Sequence, residues 1–253
     1  MLLIDIHFNL NMASNGLPLP GRHSSASMPF VAADHAFDGK KHLLLAASGS
    51  VATIKLPNIA RALSVHQSLS IRIIVTKSAE KFLVGQSAEQ PILESLLELP
   101  NVEAIYQDED EWTKPWVRGD SILHIELRRW ALLMVIAPLS ANTMAKMTNG
   151  IADNLLSSVV RAWDTTGEID GQVGKKRIIV AAAMNTAMWR HPITKKQIKI
   201  LEEEWGVDGA QDGWVEVLRP IEKTLACGDA GDGAMREWNE IVSVIEARLS
   251  LKP

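Results

Sequence analysis

The sequence predicts an α/β fold, a doubly wound parallel sheet with helices on both faces, on three observations. Short apolar runs recur along the chain, amphipathic helical segments separate them, and hydroxyl-rich turns close several of the runs. Runs that are apolar at every position suit strands buried on both faces, and strands alternating with helices pair in parallel. Such sheets hold ligands at the carboxyl ends of their strands, near a reversal of strand order.

The elements follow in order. Residues 42–47 (HLLLAA) read as the first strand, and Ala52, Leu56, Ile59, Ala60 and Leu63 then share one helical face. Pro57 interrupts that face and is expected to kink the helix. A second strand is read at 71–76 (IRIIVT), followed by a helical start at 77–83. Residues 132–137 (LLMVIA) and 177–182 (RIIVAA) are buried strands, with helical stretches through Trp163 after the former. An amphipathic helix is expected over 193–205, and Ile241, Val244, Ile245 and Leu249 line one face of the last helix. Residues 1 to about 38 are rich in Gly, Pro, Ser and Asn, so a flexible extension is expected ahead of one domain over 39–253.

Composition removes several classes of function. The 253 residues carry 26 basic and 30 acidic side chains, which gives no electrostatic footprint for nucleic acid or an anionic membrane. Apolar runs such as Ala131 to Pro138 fall far short of the roughly 20 residues of a membrane span. Asp5, His7 and Asn9 near the start, with no basic residue before them, argue against a secretory signal. One cysteine, Cys227, permits no intrachain disulfide, which fits a reducing, cytoplasmic setting. His124 and Glu126 have the His-x-Glu spacing of zinc deaminases, but the paired cysteines of that site are missing. No His-Glu-x-x-His occurs either, so no metal site is expected.

Three turns carry candidate chemistry. Ser48-Gly49-Ser50 follows the first strand, Thr76-Lys77-Ser78 the second, and Ser140-Ala141-Asn142-Thr143 the strand at 132–137. In each, hydroxyls and a helix N-terminus can receive an anion, although any one turn taken singly reads more readily as a capped helix start. Together they favour one phosphorylated ligand. Past the strand at 177–182 comes Ala183-Met184-Asn185-Thr186-Ala187-Met188-Trp189. Two methionines and a tryptophan around one Asn read as a core stripe, or as an apolar wall for a flat ring with Asn185 giving direction. The density of Gly228, Gly231 and Gly233 suggests a mobile lid with Cys227 at its edge. Beside Asp229 a thiolate is disfavoured, so the thiol suits a proton donor better than a nucleophile.

Four segments in order, GDSILHIELRRW, VIAPLSANTMAKMTNGIADNLL, AAAMNTAMWRHP and LACGDAGDGAM, resemble the phosphopantothenoylcysteine decarboxylases, which are flavin-containing cysteine decarboxylases. The resemblance runs from about Lys41 to Glu246. It departs from the family pattern at Ala182, where a proline is usual; that loosens a loop and removes no functional group. The resemblance implies a flavodoxin-like fold and a homotrimer with active sites at subunit interfaces. It implies FMN held by Gly49, Ser50, Val51, Thr76, Lys77, Ser78, Ser140, Ala141, Asn142, Thr143 and Ala183. It places the substrate, 4′-phosphopantothenoylcysteine, against Met184, Asn185, Ala226 and Gly228, with Asn185 at the carboxylate. His124 would be the base and Cys227 the proton donor. In that family, oxidation of the carbon bearing sulfur to a thioaldehyde precedes loss of carbon dioxide, because the direct carbanion has nothing to delocalise it. The reduced flavin then returns the hydride, with no net redox change.

Two other readings remain open at this level. Some fungal relatives of the family inhibit a protein phosphatase or form hetero-trimers that divide the His and the Cys between chains. This chain carries both residues and no long acidic tail. A peptidyl-cysteine decarboxylase would share the same chemistry, and residues 191–225 would set the choice of substrate. Flavin prenyltransferases lack the Met-Asn-x-x-Met-Trp motif.

Overall fold

A computed structural model describes residues 29–170, 174–224 and 230–252. After a 3₁₀ turn (Ala32–His35), the first elements are β1 (Lys41–Ala47), a 3₁₀ turn (Val51–Lys55), α1 (Leu56–Leu63), β2 (Leu69–Val75) and α2 (Lys77–Glu80). A hairpin of β3 (Val84–Ser87) and β4 (Gln90–Ile92), a 3₁₀ turn (Leu93–Glu98) and β5 (Val102–Tyr106) follow. A 3₁₀ turn (Asp108–Asp110) leads to α3 (Leu123–Trp130), β6 (Leu133–Leu139), α4 (Ala141–Asn149) and α5 (Leu155–Arg161). The chain closes with β7 (Arg177–Ala182), α6 (Thr186–Arg190), α7 (Pro192–Lys199), a π turn (Ile200–Glu204), β8 (Val215–Leu218), β9 (Ile221–Thr224), β10 (Ala230–Ala234) and α8 (Trp238–Leu249).

The main sheet has six strands in the order β5-β2-β1-β6-β7-β8, every neighbouring pair parallel. Setting the β5 edge aside, the order is the flavodoxin-like 2-1-3-4-5 of a doubly wound sheet. Alternation along the strands feeds two cores. Leu43, Leu45, Ile71, Ile73, Val135 and Ile179 face α1 and α8. Leu44, Ala46, Met134, Ile136, Ile178 and Val180 face α3, α4 and α5. Both faces are covered, so the strands read as near-continuous apolar runs, broken in β2 by Ser70 and Arg72. Burying each such Leu or Ile is worth about 1.5–3 kcal/mol.

The structure departs from the sequence reading in several places. Pro57 produces no kink: it stands in the first turn of α1, where the backbone N–H has no helical partner to lose. Residues 30–35 are not loose. Phe30 packs edge-on against Trp130 at 6.2 Å, the Arg72 guanidinium lies 3.9 Å over the Phe30 ring, and the Ala32 N–H donates to Glu126 Oε2 at 2.8 Å. The polar stretch before residue 28 masks this aromatic anchor when composition is averaged. The short strands β5 and β8 and the two hairpins are built of strands only three to five residues long, so they leave little periodic signal.

Candidate functional site

The site begins where strand order reverses. β1 lies between β2 and β6, so the turns after these three strands are neighbours. Ser48, fully buried, ties two of them: its N–H and Oγ donate to Pro138 O at 3.1 and 3.0 Å, and the Oγ accepts from Ser140 N at 2.8 Å. On the other side Thr76 N donates to Ala47 O at 3.1 Å. Thr76 caps α2 through Ala79 N, and Ser140 caps α4 through Thr143 N. Gly49 is required by close approach, because a Cβ there would lie 2.7 Å from the Ser78 Cβ and nearer still to its hydroxyl.

The turns after β2 and β6 wall a cleft of about 360 Å³, lined in part by Thr76, Lys77, Ser78, Asn142 and Thr143. Sequence reasoning missed the rest of its rim: Asp108, Lys146, Asp153 and Asn154. Lys146 lies one helical turn beyond Asn142 and Thr143, a spacing that would have found it. Its ammonium pairs with Asp153 at 2.7 Å and holds that carboxyl below the usual carboxylate range. Burial pushes the Asp108 carboxyl up, against the N–H of Leu155; the charges of Glu109 and Asp153 add to the rise, and Lys146 opposes it.

The remaining FMN candidates sit around this cleft rather than on its wall. Ser140 and Ala141 form the base of α4; Ser50 accepts a long 3.5 Å bond from Ala52 N, and Val51 is exposed. Ala183 is buried, its N–H on Leu139 O at 3.0 Å, beside the Ser140 turn. Asn185 caps α6, accepting from Ala187 N at 2.8 Å. The two methionines separate: Met184 is core and Met188 is exposed. Gly231 and Gly233 do not serve mobility. They lie on β10, where added Cβ atoms would strike Thr186 and the Met184 carbonyl, so glycine is there for close packing. Ala226, Cys227 and Gly228 lie outside the described residues.

His124 stands in the first turn of α3, and its Nδ1 is 2.8 Å from Glu111 Oε1. α3 packs on α5 and the Ala32–His35 turn, whereas α6, below Asn185, packs on α7 and β10. A larger cleft of about 520 Å³ is lined in part by Trp189, the tryptophan of the apolar wall read from sequence, and by Lys199 and Arg219 of the 191–225 segment, with Arg190 and Asp232; none of the FMN, substrate or catalytic candidates lines it.

Residues 32–250 match the profile of the Flavoprotein family. The chain belongs to that family. This flavoprotein is 43% identical over 206 residues to "Phosphopantothenoylcysteine decarboxylase" of Arabidopsis thaliana, covering 81% of this chain and 84% of the relative. It is 40% identical to "Coenzyme A biosynthesis protein 3" of Saccharomyces cerevisiae over 84% of its own length, but spans only 34% of that longer protein. Among solved structures it resembles a mutant PPC decarboxylase complexed with pantothenoylaminoethenethiol, at a TM-score of 0.66 and 41% identity, covering 82% of this chain and 97% of the other. It also resembles "The FMN binding protein AtHal3", at a TM-score of 0.63 and 42% identity, covering 82% and 96%. The flavodoxin-like fold read from the sequence agrees with both the sheet order and these likenesses. Among the described residues, no helix is long and apolar enough to cross a membrane.

Proposed function

We propose that this flavoprotein is an FMN-dependent decarboxylase converting 4′-phosphopantothenoylcysteine to 4′-phosphopantetheine, in the synthesis of coenzyme A. The observation that carries the reading is the hydroxyl-lined cleft at the strand-order reversal, in a chain 43% identical to a phosphopantothenoylcysteine decarboxylase. Its donors fit the FMN phosphate. The hydroxyls of Thr76, Ser78 and Thr143, the Asn142 amide and the ammonium groups of Lys77 and Lys146 converge there with the N-terminus of α4. When bound, FMN supplies the two-electron chemistry that lets a cysteine carboxylate depart.

The chain's own residues bind and move protons. Asn185, at the head of α6, holds the carboxylate end of the substrate, with Met184, Ala226 and Gly228 around it. His124 takes a proton from the substrate on Nε2, a role typically worth roughly 10²–10⁴ in rate. Cys227 returns a proton from Sγ. His124 and Asn185 stand on helices with different packing partners, and Trp112, Trp116 and Val117 expose apolar surface just before the His124 helix. Both features support a homotrimer whose active sites form between subunits. The setting is cytoplasmic.

The test is His124→Asn. FMN content stays at the wild-type level and decarboxylation is abolished; an unchanged rate removes His124 from the chemistry.

A further inference from the structure

We infer that Glu111 is the positioning residue for His124, fixing the imidazole so that Nε2 presents its lone pair to the substrate. The inference deepens the reading above and rests on His124 being the base. A carboxylate only accepts hydrogen bonds, so the 2.8 Å contact from Glu111 Oε1 places the ring proton on Nδ1 and leaves Nε2 as the acceptor. The Glu111 side chain is 6% exposed, against 23% for His124. Its second oxygen, Oε2, is buried with no hydrogen-bond partner among the described residues. The carboxylate is therefore out of water with one directional contact, the histidine, and a buried acid held that way is costly unless it faces a donor.

Neighbouring acids are engaged elsewhere. Asp108 accepts from Leu155 N, Asp110 from Gln107 N, and Asp120 pairs with Lys114 at 3.1 Å. Glu126, on the histidine's own helix, takes Ala32 N and Arg129. Glu111 is also well fixed. It ends the Asp108–Asp110 turn, which a reciprocal Gln107–Asp110 capping box closes and which Asp108 ties to the start of α5. Asp108 of that same turn lines the cleft, so one rigid turn sets both the cleft wall and the orientation of the base.

Glu111→Gln keeps the shape and removes the charge, and its amide can turn either an acceptor or a donor toward Nδ1. In FMN-loaded protein labelled with ¹⁵N-histidine, the His124 resonances, assigned by their loss in His124→Asn, are expected to report the Nδ1–H tautomer. In Glu111→Gln they shift toward Nε2–H. In the same protein kcat falls roughly 10- to 100-fold, the orientation-dependent part of a base's contribution, with KM and FMN content held. Should Glu111→Gln fail to fold, Glu111→Asp, which withdraws the carboxylate by one methylene, carries the same test. An unchanged tautomer overturns the role of Glu111 and leaves His124 as the base. A shifted tautomer with full kcat overturns both, because the tautomer of a true base would matter.

Discussion

Replacing Gly49 by alanine tests how closely the turns after β1 and β2 must approach to form the cleft. The added methyl would sit 2.7 Å from the Ser78 Cβ, where ordinary contact begins at 3.4 Å, so the two turns must part by about 0.7 Å. Rotating the Ser78 hydroxyl away does not relieve this, since the clash includes Cβ. Neither turn gives easily: Ser48 is bonded to Pro138 and Ser140, and Thr76 caps the helix that carries Ser78. Overpacking of this kind costs about 1–3 kcal/mol, and if it falls on the cleft, FMN binding weakens roughly 5- to 150-fold. Fluorescence quenching of FMN titrated into apo-protein measures it. The second substitution identifies the cause: measured against the Ser78→Gly single variant, which lacks the hydroxyl donor and the clashing Cβ, adding Gly49→Ala costs little, whereas measured against Ser78→Ala, which keeps Cβ, it costs nearly the full amount. An FMN Kd within twofold of wild type in Gly49→Ala, or strict additivity in the glycine double variant, refutes the argument.

Asp108, Asp164 and Cys227 give three further outcomes. Asp108→Asn keeps the acceptor for Leu155 N–H and removes a negative charge from the cleft rim, so FMN binds more tightly at neutral pH, by about 1 kcal/mol or roughly fivefold. Because burial raises the Asp108 carboxyl, protonation removes the same charge from the wild type as pH falls, and the advantage shrinks in titrations run toward acid pH. Asp164→Ala strips the acceptor from the backbone N–H groups of Thr166, Gly167, Ile169 and Asp170; calorimetry is expected to show a loss of about 3 kcal/mol, with FMN affinity kept. Burial opposes those bonds but they prevail, holding Asp164 well below its ordinary 3.8, so its contribution is complete above about pH 4 and declines as pH falls toward the folded value. Cys227→Ser retains FMN but stalls with the flavin reduced and an unsaturated thiol accumulating, seen by absorbance and mass spectrometry; rapid turnover by this variant removes Cys227 as proton donor.

Much of the frame was legible because the central strands are buried on both faces. β1, β6 and β7 appear in the sequence as near-continuous apolar runs and β2 as one broken by Ser70 and Arg72, and the hydroxyl turns behind β1, β2 and β6 converge as their strand-end positions require. What stayed hidden has local causes. Pro57 looked like a break because the 3₁₀ turn before α1 continues the same apolar spacing, hiding where the helix begins. The glycines of β10 looked like part of a mobile lid, since sequence cannot distinguish glycine used for freedom from glycine used for contact. Glu111 lay in an acid-rich run, Asp108-Glu109-Asp110-Glu111, where nothing in spacing singles out the one residue turned toward His124. Asp108 was missed for the same reason.

Incubating the purified, FMN-loaded protein with 4′-phosphopantothenoylcysteine and following mass tests the assignment of reaction and substrate. Loss of carbon dioxide to give 4′-phosphopantetheine, with no added oxidant, is the predicted result. An FMN-loaded protein that leaves this substrate intact, while decarboxylating a peptide that ends in cysteine or instead binding and inhibiting a protein phosphatase, would contradict the assignment.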